Sequence, residues 1–173
     1  MSHRGCVHVY TGNGKGKTTA ALGLCLRAVG AGFRVYIAQF MKSGEYSELK
    51  ALERLGQHVT IEQFGTGRFV RGKPSKEDQE VARQGFEAAK AALASGNYQM
   101  VILDESIVAL HQGLLTQAQV HTWLAMRPEA VELVLTGRNA PPEIVAEVDL
   151  VTEMLEVKHY FRNGITARVG IEK

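Results

Sequence analysis

The residues best equipped for chemistry stand together near the N-terminus, in Thr11-Gly12-Asn13-Gly14-Lys15-Gly16-Lys17-Thr18-Thr19. Glycines let a short chain fold so that successive N–H groups point at one anion. Lys17 has the reach for phosphate oxygens, and the Thr18 hydroxyl is a magnesium ligand by type. Lys15 is an extra cation inside the loop, and Thr11 holds the place where the usual phosphate-loop pattern has glycine. The second set of candidates is Asp104-Glu105, which ends the apolar run Gln99-Met100-Val101-Ile102-Leu103. Where a phosphate loop is present, carboxylates at that position polarise or indirectly hold magnesium. Both sets together point to a nucleotide with magnesium.

Elements must bring these residues to one place. Cys6-Val7-His8-Val9-Tyr10 reads as a strand before the loop, and Lys17 to about Ala31 as a helix after it, with Ala20, Leu22, Leu26 and Val29 in its pattern. Strand, glycine-rich loop and helix in that order are the context a phosphate site needs. Arg34–Phe40 reads as a buried strand, followed by the loop Met41-Lys42-Ser43-Gly44-Glu45 at the edge where such sheets place ligands. A short helix from Ser47 to Leu55 and a strand from His58 to Phe64 come next. Ser75 caps a long helix, with Asp78 three residues on and a core stripe of Ala82, Phe86, Ala89 and Leu93. After the carboxylate strand, Ile107 to Leu110 read as a short turn, and Thr116 with Gln119 opens another capped helix carrying Val120 and Leu124, with Trp123 beside them. Ala130–Leu135 is a fifth strand running into Thr136-Gly137-Arg138, Pro141-Pro142 suits a helix start, and Asp149 to Leu155 gives a short sixth strand or extended edge. Alternating strands and helices predict an α/β fold, a mostly parallel sheet with helices on both faces.

The chain has 173 residues, 45% apolar and 22% charged, which suits one globular domain over 1–173 with one substantial core. A net charge of +2 argues by itself for neither nucleic acid nor a membrane surface. Cys6 and Cys25 give no disulfide framework and no metal spacing, so both read as small buried residues of a protein in the reducing cytoplasm. No stretch is long enough to span a bilayer. Among the histidines, His8 reads as packed within the first strand.

Gly65-Thr66-Gly67-Arg68-Phe69-Val70-Arg71-Gly72-Lys73-Pro74 gathers glycines, cations and an aromatic in one loop, which suits either a functional loop or a solvated connection. From the residues alone three activities stay open. They are phosphoryl transfer by an ATPase, the same chemistry by a small-molecule kinase, and a nucleotide-dependent module for nucleic acid, favoured only by that basic loop.

Four stretches resemble one family closely, the P-loop ATP:corrinoid adenosyltransferases of cobalamin synthesis and salvage. They are Thr11 to Thr19 with Arg27-Ala28-Val29-Gly30, Val101 to Glu105, Leu135-Thr136-Gly137-Arg138, and Val151-Thr152-Glu153-Met154 with Lys158-His159 and Gly170-Ile171-Glu172. The resemblance implies a RecA-like P-loop NTPase sheet, a homodimer, and ATP with magnesium. It also implies transfer of the 5′-deoxyadenosyl group to Co(I) of a corrinoid, delivered in that state by a reductase, with triphosphate leaving. Carried over by position, Gly12, Asn13, Gly14, Lys15, Gly16, Lys17 and Thr18 would hold the triphosphate, with Thr19, Arg27 and Arg138 also on the nucleotide. Lys15, Lys17 and Glu105 would serve catalysis, and Thr18, Asp104 and Glu105 the metal. Arg68, Phe69 and Val70 would meet the corrinoid, with Phe69 in place of its lower axial base. Two departures stand out. Some relatives carry an N-terminal extension before the first strand, where here the strand follows Met1 to Gly5. Some also have Phe and Trp in the loop that here reads Arg68-Phe69-Val70.

Overall fold

A computed structural model of the chain describes residues 4–68, 70 and 72–172. The described residues form a six-stranded, wholly parallel sheet in the order β3-β2-β4-β5-β1-β6. Its strands are β1 (Val7–Thr11), β2 (Val35–Phe40), β3 (Val59–Phe64), β4 (Met100–Asp104), β5 (Glu132–Thr136) and β6 (Leu150–Glu153). The helices are α1 (Lys17–Gly30), α2 (Ser47–Glu53), α3 (Lys76–Ala94), α4 (Ser106–His111), α5 (Gln117–Met126) and α6 (Pro142–Glu147). β5 lies between the strand of the phosphate loop and the strand of the carboxylates. This is a RecA-like P-loop arrangement.

Strand alternation divides the interior into two cores. Val9, Tyr36, Ala38, Phe40, Val101, Leu103, Leu133 and Leu135 face α3, α4, α5 and α6. Val35, Ile37, Met100, Ile102 and Val134 face α1 and α2 through Ala21, Cys25, Ala28 and Leu52. β2 and β4 are buried along their whole length, which is why both read as unbroken apolar runs.

Local signals hold at the helix starts. Ser75 accepts from the Asp78 N–H while Asp78 accepts from the Ser75 N–H, and Thr116 and Gln119 do the same for α5. α1 begins without a side-chain cap and without an acidic residue in its first turn, so its N–H groups stay available to an anion. Two expectations change. Ile107 to Leu110 lie in the helix α4, whose Ile107 and Ala109 are buried against the sheet. In α5 it is Trp123 that is wholly buried, stacked near Phe40 and Phe86, and Leu124 is half-buried. The i, i+3 pair of Val120 and Trp123 therefore sets the buried face. Cys25 is buried as expected, whereas Cys6 is half-buried at the sheet's start. His8 is packed beside Glu132 of β5 and bonded to it.

After β6 the chain folds back over the phosphate loop. The Gly14 N–H donates to the Met154 carbonyl at 2.7 Å. A side chain at Gly14 would place its Cβ 2.7 Å from that same oxygen. Glycine is required there by the closeness of a second backbone, in addition to any ligand.

Candidate active site

The C-terminal ends of β1, β2, β4 and β5 open onto a cleft of about 640 Å³, a size usual for small-molecule sites. Its walls come from the phosphate loop, the start of α1, the loop and helix after β2, the ends of β4 and β5, and the chain around His159 and Gly170 to Glu172. Among the described residues, three that are not glycine adopt left-handed backbone: Met41, Glu105 and Asn139. Each stands just beyond a strand at this edge, where costly conformations mark functional positions.

Lys17 is 8% exposed and bridges its own loop, donating to the carbonyls of Gly12 and Gly14 at 2.7 Å each. Burial, then the nearby Arg138 charge, pull its pKa below the ordinary lysine range, against the opposing pull of Glu105. Lys15 reaches the other way and donates to the Ile171 carbonyl at 2.8 Å.

The Thr18 hydroxyl donates to Asp104 Oδ1 at 2.8 Å. Asp104 is 1% exposed and also accepts from the Thr136 hydroxyl at 2.7 Å, Gln39 Nε2 at 3.2 Å and Lys42 Nζ at 2.8 Å. Its two oxygens thus accept four hydrogen bonds, which hold the Thr18 and Thr136 hydroxyls toward it. Thr136 in turn accepts from the Glu105 N–H at 2.9 Å, which fixes the left-handed turn that brings Glu105 to the cleft. Burial and the Asp104 charge raise the Glu105 carboxyl above the ordinary glutamate range, opposed by Lys42, Lys17 and Arg138.

Among the described residues no group of three or more His, Cys, Asp or Glu is placed to hold a metal. Among the oxygens lining the cleft, which include the Glu48 and Glu172 carboxylates paired with Lys42 and Lys15, the half-buried Thr18 hydroxyl and the Glu105 carboxylate stand at the start of α1 and just beyond β4. That donor set fits magnesium, which commonly takes one or two protein oxygens and completes its shell with substrate phosphates and water.

The structure therefore brings Asn13, Gly14, Lys15, Gly16, Lys17, Thr18, Thr19, Glu105 and Arg138 to one cleft, with Gly12 and Asp104 directly behind it. Arg27 is exposed and sits ten positions along α1 from Lys17, roughly 15 Å at the rise of a helix. Within one chain its charge acts on Tyr10 instead. Arg68 and Val70 line a separate small hollow with Met41, Phe64, Thr66 and Asp78, and the exposed Arg68 pairs with Glu77. Phe69 lies outside the described residues. Sequence patterns did not mark Lys42, Gln39 or Thr136 for these roles. The available signal was position, since each stands at or just beyond the end of an apolar strand at the ligand edge.

Residues 3–172 match the family described as ATP:corrinoid adenosyltransferase BtuR/CobO/CobP. The corrinoid adenosyltransferase of Pseudomonas aeruginosa is 35% identical over 170 residues, covering 98% of this chain and 84% of that one. That of Escherichia coli K12 is 36% identical over 173 residues, covering 99% and 87%. The protein of Salmonella typhimurium named corrinoid adenosyltransferase CobA is 35% identical over 173 residues, with the same coverage of 99% and 87%.

Proposed function

This chain belongs to the ATP:corrinoid adenosyltransferase family, and from that premise we propose how its cleft performs the transfer. The enzyme moves the adenosyl group of ATP to a corrinoid, a step of cobalamin metabolism. In the reading we favour, the electron pair of Co(I) attacks C5′ of the nucleotide. The C5′–O bond breaks, its pair leaves with inorganic triphosphate, and cobalt ends as an alkylated Co(III).

Reduced cobalt is already a strong nucleophile, so the site needs no side-chain base. The difficult task is to stabilise charge on the leaving triphosphate, which preorganised donors and cations perform. The observation that carries this assignment is the convergence of Lys15, Lys17 and Arg138 with the uncapped start of α1 on one cleft. Lys17 would exchange the carbonyls of Gly12 and Gly14 for phosphate oxygens. Thr18 and Glu105 would hold magnesium, which when bound neutralises phosphate charge as a Lewis acid. Family membership favours this transfer over the ATPase, kinase and nucleic-acid alternatives.

The loop bearing Arg68, Phe69 and Val70 would form the lower wall for the corrinoid. Support comes from Met41, which lines the hollow of Arg68 and Val70 and directly precedes Lys42 of the cleft. A homodimer is consistent with the exposed apolar side chains on and after β6, among them Leu150, Val151, Leu155, Val157 and Phe161. Among the described residues no helix is long and apolar enough to cross a membrane. We place the enzyme, as one domain, in the cytoplasm, with a reductase supplying Co(I). Mixing the protein with ATP, Mg²⁺ and chemically reduced corrinoid tests the reading. A light-sensitive adenosylated corrinoid is expected, and recovery of unmodified corrinoid from active-site-saturating ATP would refute it.

A further inference from the structure

Lys42 belongs to no motif, yet its position is closely built. Its Nζ stands 2.8 Å from Asp104 Oδ2 and 3.7 Å from Glu48 Oε1, and the side chain is 15% exposed along the cleft wall. The left-handed Met41 before it donates its N–H to the Phe64 carbonyl at 2.8 Å, tying this loop to the end of β3. Gly65 permits the approach, because a Cβ there would lie 2.6 Å from the Lys42 backbone nitrogen.

Asp104 is almost wholly buried, and its other bonded donors, Thr18, Thr136 and Gln39, are neutral. Among the described residues Lys42 is the one cation bonded to it. A carboxylate at that depth needs a counter-charge, and without one it rearranges. Thr18 depends on it directly. Its single hydroxyl proton goes to Asp104, which leaves the oxygen lone pairs free on the cleft side.

We propose that Lys42 is a positioning residue of the nucleotide site: its ammonium fixes the Asp104 carboxylate, and through it the Thr18 hydroxyl, in the orientation that receives the metal–triphosphate. The role rests on the ATP reading of the cleft given above. It differs from a phosphate contact, because Lys42 acts through the metal end of the site.

Calorimetric titration of ATP into the full chain, without corrinoid so that no turnover occurs, separates these cases. One titration is run in excess Mg²⁺ and one in EDTA. Lys42→Met is expected to weaken binding in Mg²⁺ by about tenfold or more, the usual cost of removing an outer partner of a metal ligand. The loss in EDTA is expected to be clearly smaller, and Lys42→Arg is expected to recover most of the affinity in Mg²⁺. An equal loss in both buffers assigns Lys42 to direct phosphate contact and overturns the positioning role. Unchanged or tighter binding in Mg²⁺ overturns it as well. A purely structural lysine would lower the melting temperature without this metal-dependent difference. If Lys42→Met folds poorly, Lys42→Met/Asp104→Asn removes both buried charges, and the same metal-selective loss is required of it. A parent protein that binds ATP in neither buffer overturns the nucleotide reading itself and the proposal with it.

Discussion

Glu105 sits in left-handed backbone beside a buried Asp104, and both burial and that neighbouring charge disfavour its ionised form. An acid whose folded pKa is raised binds its proton more tightly when folded. Its contribution to stability is therefore full below the unfolded value, about 4.3 for glutamate, and is lost as pH rises through the folded value. Glu105→Gln is expected to melt higher than the parent at neutral pH, with the difference shrinking as pH falls through the raised folded value and at its smallest below the pKa of a free glutamate. A difference that grows in acid would contradict this. The same substitution, and Lys17→Ala, are each expected to lower turnover by about 10²-fold or more, since on the proposed reading each removes an electrostatic contact to the leaving group or its metal. Steady-state assays on folded protein check this, and unchanged turnover removes that residue from the site. At this scale the loop residues and the Asp104-Glu105 pair were legible, because their types and flanking strands define them. Lys42 and Gln39 were not legible. Their roles arise only when β2 is laid against β4, with Gln39 in register with Asp104.

Elements were legible wherever local chemistry dictates them. Ser75 and Asp78 announce the start of α3, and the observed bonds are those the spacing predicts. Ser75→Ala is expected to cost about 1 kcal/mol, the ordinary worth of an N-cap. In a chain of this size that is a fall of about 2–4 °C in Tm, measurable by thermal denaturation. Asp78 also accepts from the Thr66 hydroxyl at 2.7 Å, so the same corner anchors the loop after β3. That loop carries Phe69, proposed to replace the lower axial base. Phe69→Ala is expected to lose activity mainly on Co(II) corrinoid with a mild reductant, and little on corrinoid already reduced to Co(I). Equal rates on both, matching the parent, would make the loop a solvated connection. α4 was not legible as a helix, because six residues carry too little periodicity to separate a helix from a turn.

For the whole molecule, alternating strands and helices were enough to predict a parallel sheet covered on both faces. Strand order was not contained in that pattern. The insertion of β5 between β1 and β4 sets the distance between phosphate loop and carboxylates, and it follows from packing across the sheet. The return of the C-terminal chain over the loop was equally hidden, since the bonds from Gly14 to Met154 and from Lys15 to Ile171 join residues far apart in sequence. Together these long-range arrangements bring cations and the N–H groups at the start of α1 to one cleft, where on the proposed reading they meet the leaving triphosphate. The fate of the phosphates tests that claim most directly. Protein, ATP, Mg²⁺ and Co(I) corrinoid are combined, and the phosphorus products are identified by nuclear magnetic resonance. One inorganic triphosphate for each carbon–cobalt bond formed is the predicted result. ADP and orthophosphate as the corrinoid-dependent products would contradict it.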